Sequence, residues 1–336
     1  MKNNWSQVLK LKNSFVLVFL WIQVLLLMLT WIFYRQTVAI VQSSEELGNR
    51  IQISNVYEKI DEVQHMAEVV ALMASKNSAL LSVFSKYDRD AVIKVMDGIW
   101  KDLKPIGFSQ LQLHYKPENS PDWKFFYRAH APERFNDSAE NRPATTKANS
   151  LKEMVSGLDQ GRTGFGFRAV TPLFWDSKHI GSLETGFELG QALLKQLNQN
   201  YRGNWAVYNL SRGAGSPDDR ALIESLGEEK DKYFKNLMPD EYVIKKAKAG
   251  LTITEFDEAL NAKIIYIPVK NFQGDYVVLI KYVGDTTYFD SLSEVKYNAL
   301  AICALGFLLS SAIIFLLFRL ITLPIKGLIV ETERIK

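Results

Sequence analysis

Between positions 128 and 168 the chain carries Arg128, His130, Arg142, Arg162 and Arg168. A guanidinium is planar and can donate two parallel hydrogen bonds to a carboxylate, so residues of this type suit small planar anions. On an alternating strand Arg128 and His130 share a face, and Trp123, Phe125 and Tyr127 just upstream supply aromatic walls. A concave, largely apolar site with a few charged groups is the usual form of a small-molecule pocket. The candidate ligand contacts are therefore Arg128, His130, Trp123, Tyr127, Arg142 and Arg168. The same arginines could instead pair with Asp137, Asp159 or Glu184 and pin loops, and spacing leaves both readings open.

Other chemistries find less support. Gly161, Gly164 and Gly166 lack the spacing and strand-to-helix context of a nucleotide fingerprint, and read as a tight turn entering a strand. His114 and His130 could meet on neighbouring strands, but no third ligand stands at metal-site spacing, so no metal is expected. No H-E-x-x-H, G-x-S-x-G or Walker-type pattern occurs, so no catalytic residues and no cofactor are expected. The acids Asp218, Asp219, Glu228 and Glu229 read as solvated faces. A single cysteine, Cys303, excludes a disulfide framework, and a net charge of +3 does not suggest a nucleic-acid surface.

The candidate residues need elements to hold them. Val56, Ile60, Val63, Ala67, Val70 and Ala74 step by four and three, which predicts a helix from Val38 to about Ser82. Its stripe suits either the protein's own core or a second subunit. A shorter helix is expected over Asp88–Leu103, before Pro105. The period then becomes two through Leu111–Tyr115, Trp123–His130, Phe165–Leu173 and His179–Glu188, with a helical crossing around Glu140–Asn149. This describes an antiparallel α+β module. After a helix at Gln191–Tyr201, strands are expected at Asn204–Tyr208, Glu241–Ala247, Leu251–Phe256, Lys263–Val269 and Asp275–Val283. Short helices are expected around Asp219–Leu226 and Lys230–Asn236. The element order of the first module is coarsely repeated. Alternating Ile264, Tyr266, Val278, Ile280 and Tyr282 give the second module the composition of a core, and it reads as a relay.

Two apolar segments bracket these modules, Ser14–Tyr34 and Tyr297–Phe318, and neither carries a charge. Each has the roughly 20 residues a helix needs to cross a bilayer. Lys2, Lys10 and Lys12 precede the first, and Arg319, Lys326, Arg334 and Lys336 follow the second, which predicts cytoplasmic termini and an extracytoplasmic middle. The alternative, a cleaved signal peptide, fits the long first segment less well and puts the middle on the same side. The final outer helix is expected to start near Thr286 and run unbroken into the second span.

The stretch from Phe126 to Gly186 resembles the double-Cache family, the paired PAS-like sensor modules of bacterial chemoreceptors, sensor kinases and diguanylate cyclases. The matching residues are Arg128-Ala-His130-Ala-Pro132, Phe135, Asp137, Arg142 and Lys147-Ala-Asn149. They continue with Gly157-Leu158-Asp159, then Gly161-Arg162-Thr-Gly164-Phe-Gly166-Phe-Arg168, Pro172, and Gly181-Ser-Leu-Glu184-Thr-Gly186. Asn136 stands where a glycine is usual, and Asp159 where a glutamate is common. The resemblance implies that Gly157, Gly161, Arg162, Gly164 and Glu184 belong to the structural motif of the membrane-distal module. Further on, Arg319-Leu-Ile321-Thr-Leu-Pro324-Ile325 looks like the start of a HAMP relay helix, with Ile321, Ile325, Leu328, Thr332 and Ile335 forming a seam. A plain amphipathic tail is the alternative.

The expected class is α+β: a long N-terminal helix and two PAS-like antiparallel-sheet modules between two transmembrane helices. The expected division is a cytoplasmic N-terminus (1–13), first span (14–34), stalk and short helix (35–104), membrane-distal module (105–190), membrane-proximal module (191–285), exit helix (286–296), second span (297–318) and partial HAMP helix (319–336). The resemblance implies a homodimeric receptor in the bacterial inner membrane, not an enzyme in itself. It would bind a small, anionic metabolite such as a carboxylate and pass the signal inward through the second span, as in a chemotaxis receptor. The alternatives are a membrane-anchored binding subunit acting through a separate kinase or cyclase, or the sensor half of a diguanylate cyclase or histidine kinase. The cytoplasmic partner is not readable from these residues.

Overall fold

The computed structural model describes residues 2–161, 164–210, 222–228 and 239–334. The chain divides into two compact units, Asn49–Asp285 and a helical unit formed by Met1–Gly48 with Thr286–Lys336. The first unit holds two five-stranded antiparallel sheets.

Helix α1, Lys2–Ser75, enters this unit at Asn49. Of its predicted stripe, Val56, Ile60, Val63, Ala67 and Ala74 are buried, whereas Val70 is half-buried and the neighbouring Ala71 takes the inward place. They join one core with Leu111, Leu113, Phe167, Leu183 and Phe187 of the distal module and Trp205, Val207, Ile265 and Ile280 of the proximal one. Of the two readings of the stripe, its own core accounts for these residues. The predicted single helix to Ser82 is interrupted. Asn77 leaves helical conformation and its side chain accepts a hydrogen bond from Leu80 N at 3.0 Å, starting α2, Ser78–Phe84. Asp88 caps α3, Arg89–Leu103, in the same way.

The distal sheet contains β1 Phe108–Tyr115, β2 Lys124–Arg128, β3 Val155–Gly161, β4 Gly164–Trp175 and β5 Lys178–Glu188, in the order β2-β1-β5-β4-β3. Helix α4, Pro143–Leu151, lies between β2 and β3 in sequence and packs Ala144 and Ala148 on Val155 and Val170. Asp176 and Ser177, both at positive φ, close a two-residue hairpin between β4 and β5. Helix α5, Gln191–Asn200, leads to β6 Asn204–Asn209, β7 Leu222–Leu226, α6 Glu241–Lys248, β8 Ile253–Asp257, β9 Ala262–Lys270 and β10 Tyr276–Asp285. The proximal order, β7-β6-β10-β9-β8, repeats the distal one strand for strand.

Two expectations in the proximal module are corrected. Glu241–Ala247 is helix, not strand: Asp240 accepts from Val243 N at 2.7 Å as an N-cap, Val243 and Ala247 four residues apart are buried, and Lys245, Lys246 and Lys248 suit the last turn. Residues 222–226, expected in a helix, pair with β6 as an edge strand. The remainder of that expected helix, and the one at Lys230–Asn236, lie outside the described residues.

In the helical unit both apolar segments are long enough to cross a membrane, within Asn13–Ser75 and Tyr288–Ile321. Helix α7 runs from Tyr288 to Arg334, and Thr286 Oγ1 caps it at Tyr288 N. Gln23 donates to Ser310 Oγ at 2.6 Å, and Phe19 meets Phe307 edge-on with centroids 5.9 Å apart. A polar contact between the two apolar helices pairs groups that an apolar surrounding would leave unsatisfied.

Candidate ligand-binding site

The distal sheet has one face on α1 and the other under α4. The second face collects Gln112 and His114 from β1, Arg168 from β4, and Ser182 and Glu184 from β5, all buried. Strand alternation puts them there, because Leu111, Leu113, Phe167 and Leu183 go to the core on α1.

Glu184 is at the centre. One carboxylate oxygen accepts from Arg168 Nη1 at 2.8 Å and the other lies 3.5 Å from His114 Nε2. Burial alone would raise its pKa, but Arg168, then His114 and Arg142, outweigh burial and hold the carboxyl at about 2. His114 is pushed down to about 4, chiefly by burial, and is neutral. Its Nδ1 meets Ser182 Oγ at 3.2 Å, and Asn149 of α4 donates to the same hydroxyl at 2.9 Å and to Thr145 O at 2.8 Å. The cover helix is therefore tied by hydrogen bonds to the charged row beneath it.

Arg142 and Arg168 converge over Gly161. A Cβ there would stand 2.2 Å from Arg168 Nη2 and 3.0 Å from Arg142 Nη1, so any larger residue would push the guanidinium ends apart. Asp159, buried beside them, has a raised pKa because burial outweighs Arg168 and Arg142. Two donors here, Arg142 Nη1 and Arg168 Nε, are buried and have no hydrogen-bond partner among the described residues. A buried charged donor left without an acceptor is costly, and such groups need an explanation.

Arg128 is used differently. Its guanidinium forms a bidentate pair with Asp137, at 2.7 and 2.9 Å, donates to Arg134 O at 2.7 Å, and lies 3.5 Å from the ring centroid of Phe125. The segment carrying Asp137 runs along the outer edge of β2: Asn136 N donates to Phe125 O, Phe125 N to Asp137 O, and Ala139 N to Trp123 O.

The aromatic walls are only partly as expected. Leu113 pairs with Tyr127 and His114 with Phe125, so Phe126 is an extra residue in β2. This bulge turns Phe126 and Tyr127 both away from Arg128 and leaves Phe125 beneath it. Phe126 packs on Phe84 and Tyr115, and the Tyr127 hydroxyl donates to Asp97 of α3. Trp123 sits at the rim, its ring 5.5 Å from His179. His130 is exposed, 6.4 Å from Trp100 and within electrostatic reach of Arg128. Of the expected contacts, the structure thus gathers Arg142 and Arg168 in one place, with Arg128 close by. Tyr127 faces elsewhere, and Trp123 and His130 are peripheral. Among the motif residues, Gly157 and Gly164 are both at positive φ: Gly164 at the end of the β3–β4 ladder, opposite Gly161, and Gly157 within it, opposite Arg168. Arg162 lies outside the described residues.

The sequence reading passed over Lys281. It sits in β10 between the core residues Ile280 and Tyr282, yet its side chain is buried on the α6 side, 5.5 Å from the ring centroid of Tyr266. Burial lowers its pKa to about 8, against the pull of Glu255. A lone lysine in an apolar run was the signal available.

Residues 41–231 match the family model described as the double sensory domain of two-component sensor kinases. Among solved structures, the sensory domain of the Campylobacter jejuni chemoreceptor Tlp3 is 10% identical, with 76% of this chain and 99% of that one covered and a TM-score of 0.49. The same receptor domain in complex with L-valine is 12% identical, with 76% and 98% covered and a TM-score of 0.47. The periplasmic domain of Vibrio cholerae LuxQ is 11% identical, with 75% and 99% covered and a TM-score of 0.42. No curated protein matches the chain in sequence. Double-Cache domains are extracytoplasmic sensors of membrane receptors, and two apolar helices flank this one. The match takes in more than half of the chain, and the chain belongs to the double-Cache sensory domain family.

Proposed function

We propose that the distal module binds a small anionic metabolite, a carboxylate in the first instance, at Arg142 and Arg168. The observation that carries this reading is the pair of buried guanidinium donors beneath α4 that have no acceptor among the described residues. Arg128 is engaged by Asp137 and serves the frame of the site. A carboxylate under α4 would accept from both of these donors and add a negative charge where three arginines face Glu184, Asp159 and Asp137. Binding would favour one position of α4, and the change would pass through the proximal module to α7 and across the membrane. A ligand can drive such a shift only by binding the two positions unequally. In this reading the receptor is a homodimer with cytoplasmic termini, and residues after Arg319 begin a HAMP-type relay.

The test is thermal unfolding of the full chain in lipid nanodiscs against small carboxylates, amino acids and neutral metabolites. The expected result is a rise in Tm with at least one carboxylate, lost in Arg142→Ala. A ligand whose effect survives both Arg142→Ala and Arg168→Ala would overturn the site. Stabilisation by neutral compounds alone would overturn the anionic assignment.

A further inference from the structure

The tip of the β9–β10 hairpin reaches from the proximal sheet onto the distal one. Phe272 N donates to Leu158 O at 3.0 Å, and Asn271 forms a bridge with Leu158 of β3. Phe272, partly buried, packs against the small cluster that Ala144 and Ala148 of α4 form with Val155 and Val170 of the strands α4 covers. The ammonium of Lys147, also on α4, lies 5.9 Å from the ring centroid. Space for this approach comes from Gly157. At φ +142° it is closed to other residues without strain, and a Cβ there would stand 2.8 Å from Phe272 Cβ.

The tip is itself firmly built. Asn271 Oδ1 accepts from Gln273 N and Asp275 N, each at 2.9 Å, and Asn271 N donates to Asp275 O at 2.8 Å. Beside it a cavity of about 410 Å³, lined in part by Tyr57, Gln64, Lys270 and Tyr276, leaves room for the hairpin to shift. The same α4 that receives Phe272 begins after Arg142 and ties Asn149 to Ser182 above Glu184. From the tip, β10 runs to Asp285, three residues before α7 begins.

We infer that Phe272 is a latch that couples α4, the cover of the distal cluster, to β9 and β10 of the proximal module. Close-packed side chains transmit a displacement rather than absorb it, and the coupling must be reciprocal, the hairpin biasing α4 as α4 biases the hairpin. The proposed distal ligand site enters only as what would move α4.

Hydrogen–deuterium exchange of the full chain in nanodiscs tests this without any ligand. Ala148→Gly weakens α4 and should speed exchange there about fivefold, the ordinary cost of glycine in a helix. If the latch operates, amides of β9 and β10 accelerate about twofold or more as well. That second response disappears when Ala148→Gly is combined with Phe272→Ala and is retained with Phe272→Leu. Unchanged β9–β10 exchange in Ala148→Gly would overturn the latch, and so would equal acceleration with and without Phe272. A failed ligand screen with intact coupling would sink the distal site alone; ligand binding with no coupling would sink the latch alone.

Discussion

Glu184 shows what the distal charges cost and contribute. It is buried with Arg168 and His114 as its neighbours. Removing one partner of such a pair leaves the other charge uncompensated, so Glu184→Gln should lower unfolding stability by about 3–5 kcal/mol in urea titration. Two of the shifted groups, His114 and Glu184, set the pH dependence that this buried cluster contributes. His114 has a folded value of about 4 against an ordinary 6.5, so as pH falls through that interval the unfolded chain takes up a proton that the folded one refuses, and stability drops. Glu184 has a folded value of about 2 against 4.5; its contribution is present above 4.5 and is lost as pH falls toward 2. Stability should therefore decline in two successive windows on acidification. His114→Gln should flatten the upper one, and an unaltered slope between pH 6.5 and 4 in that variant would contradict a neutral buried His114. At this scale the sequence exposed the cations but not their assignments. The pairings of Arg128 with Asp137 and Arg168 with Glu184 depend on strand register, and the orientation of Tyr127 depends on a one-residue bulge with no signal in residue type.

The elements were more legible, and the exceptions have local causes. The proximal strand expected at Glu241–Ala247 is α6 because an N-cap and a pair of buried residues four apart outweigh a brief apolar run. The break at Asn77 is likewise a capping event inside a stripe that continues apolar. Glycines at β3 and β4 offer a direct test. Gly157 and Gly164 both have positive φ, but only Gly157 is pressed against another side chain; among the described residues nothing lies within 4 Å of a Cβ at Gly164. Gly164→Ala should cost about 1 kcal/mol from backbone strain, and Gly157→Ala clearly more, because Phe272 must also move. Equal shifts of the two urea midpoints would mean that the approach of Phe272 to β3 contributes nothing.

For the whole molecule, the strongest sequence signals were the two uncharged segments and the repeated order of elements. Both rest on composition and periodicity, which survive without knowledge of partners. The relation between the modules was not legible: that one helix stripe serves both sheets, and that a hairpin tip crosses from one to the other, are facts of three-dimensional contact. The proposed topology makes a labelling prediction. In a Cys303→Ser background, Glu133→Cys, at an exposed position, should react with a membrane-impermeant maleimide in spheroplasts, whereas Lys2→Cys should react only after permeabilisation. Reaction of both before permeabilisation would reverse the assignment of the N-terminus.

The strip from Asn136 to Ala139 along β2 has a consequence for solubility. An edge strand offers unpaired backbone groups to any other chain, and proteins must cover or disguise it. Here the cover is held in place by the Arg128–Asp137 pair. A receptor with Arg128 replaced would lose that fastening and bare an apolar edge, Phe125-Phe126-Tyr127. Its first symptom would be self-association and poor yield, before any question of ligand arises.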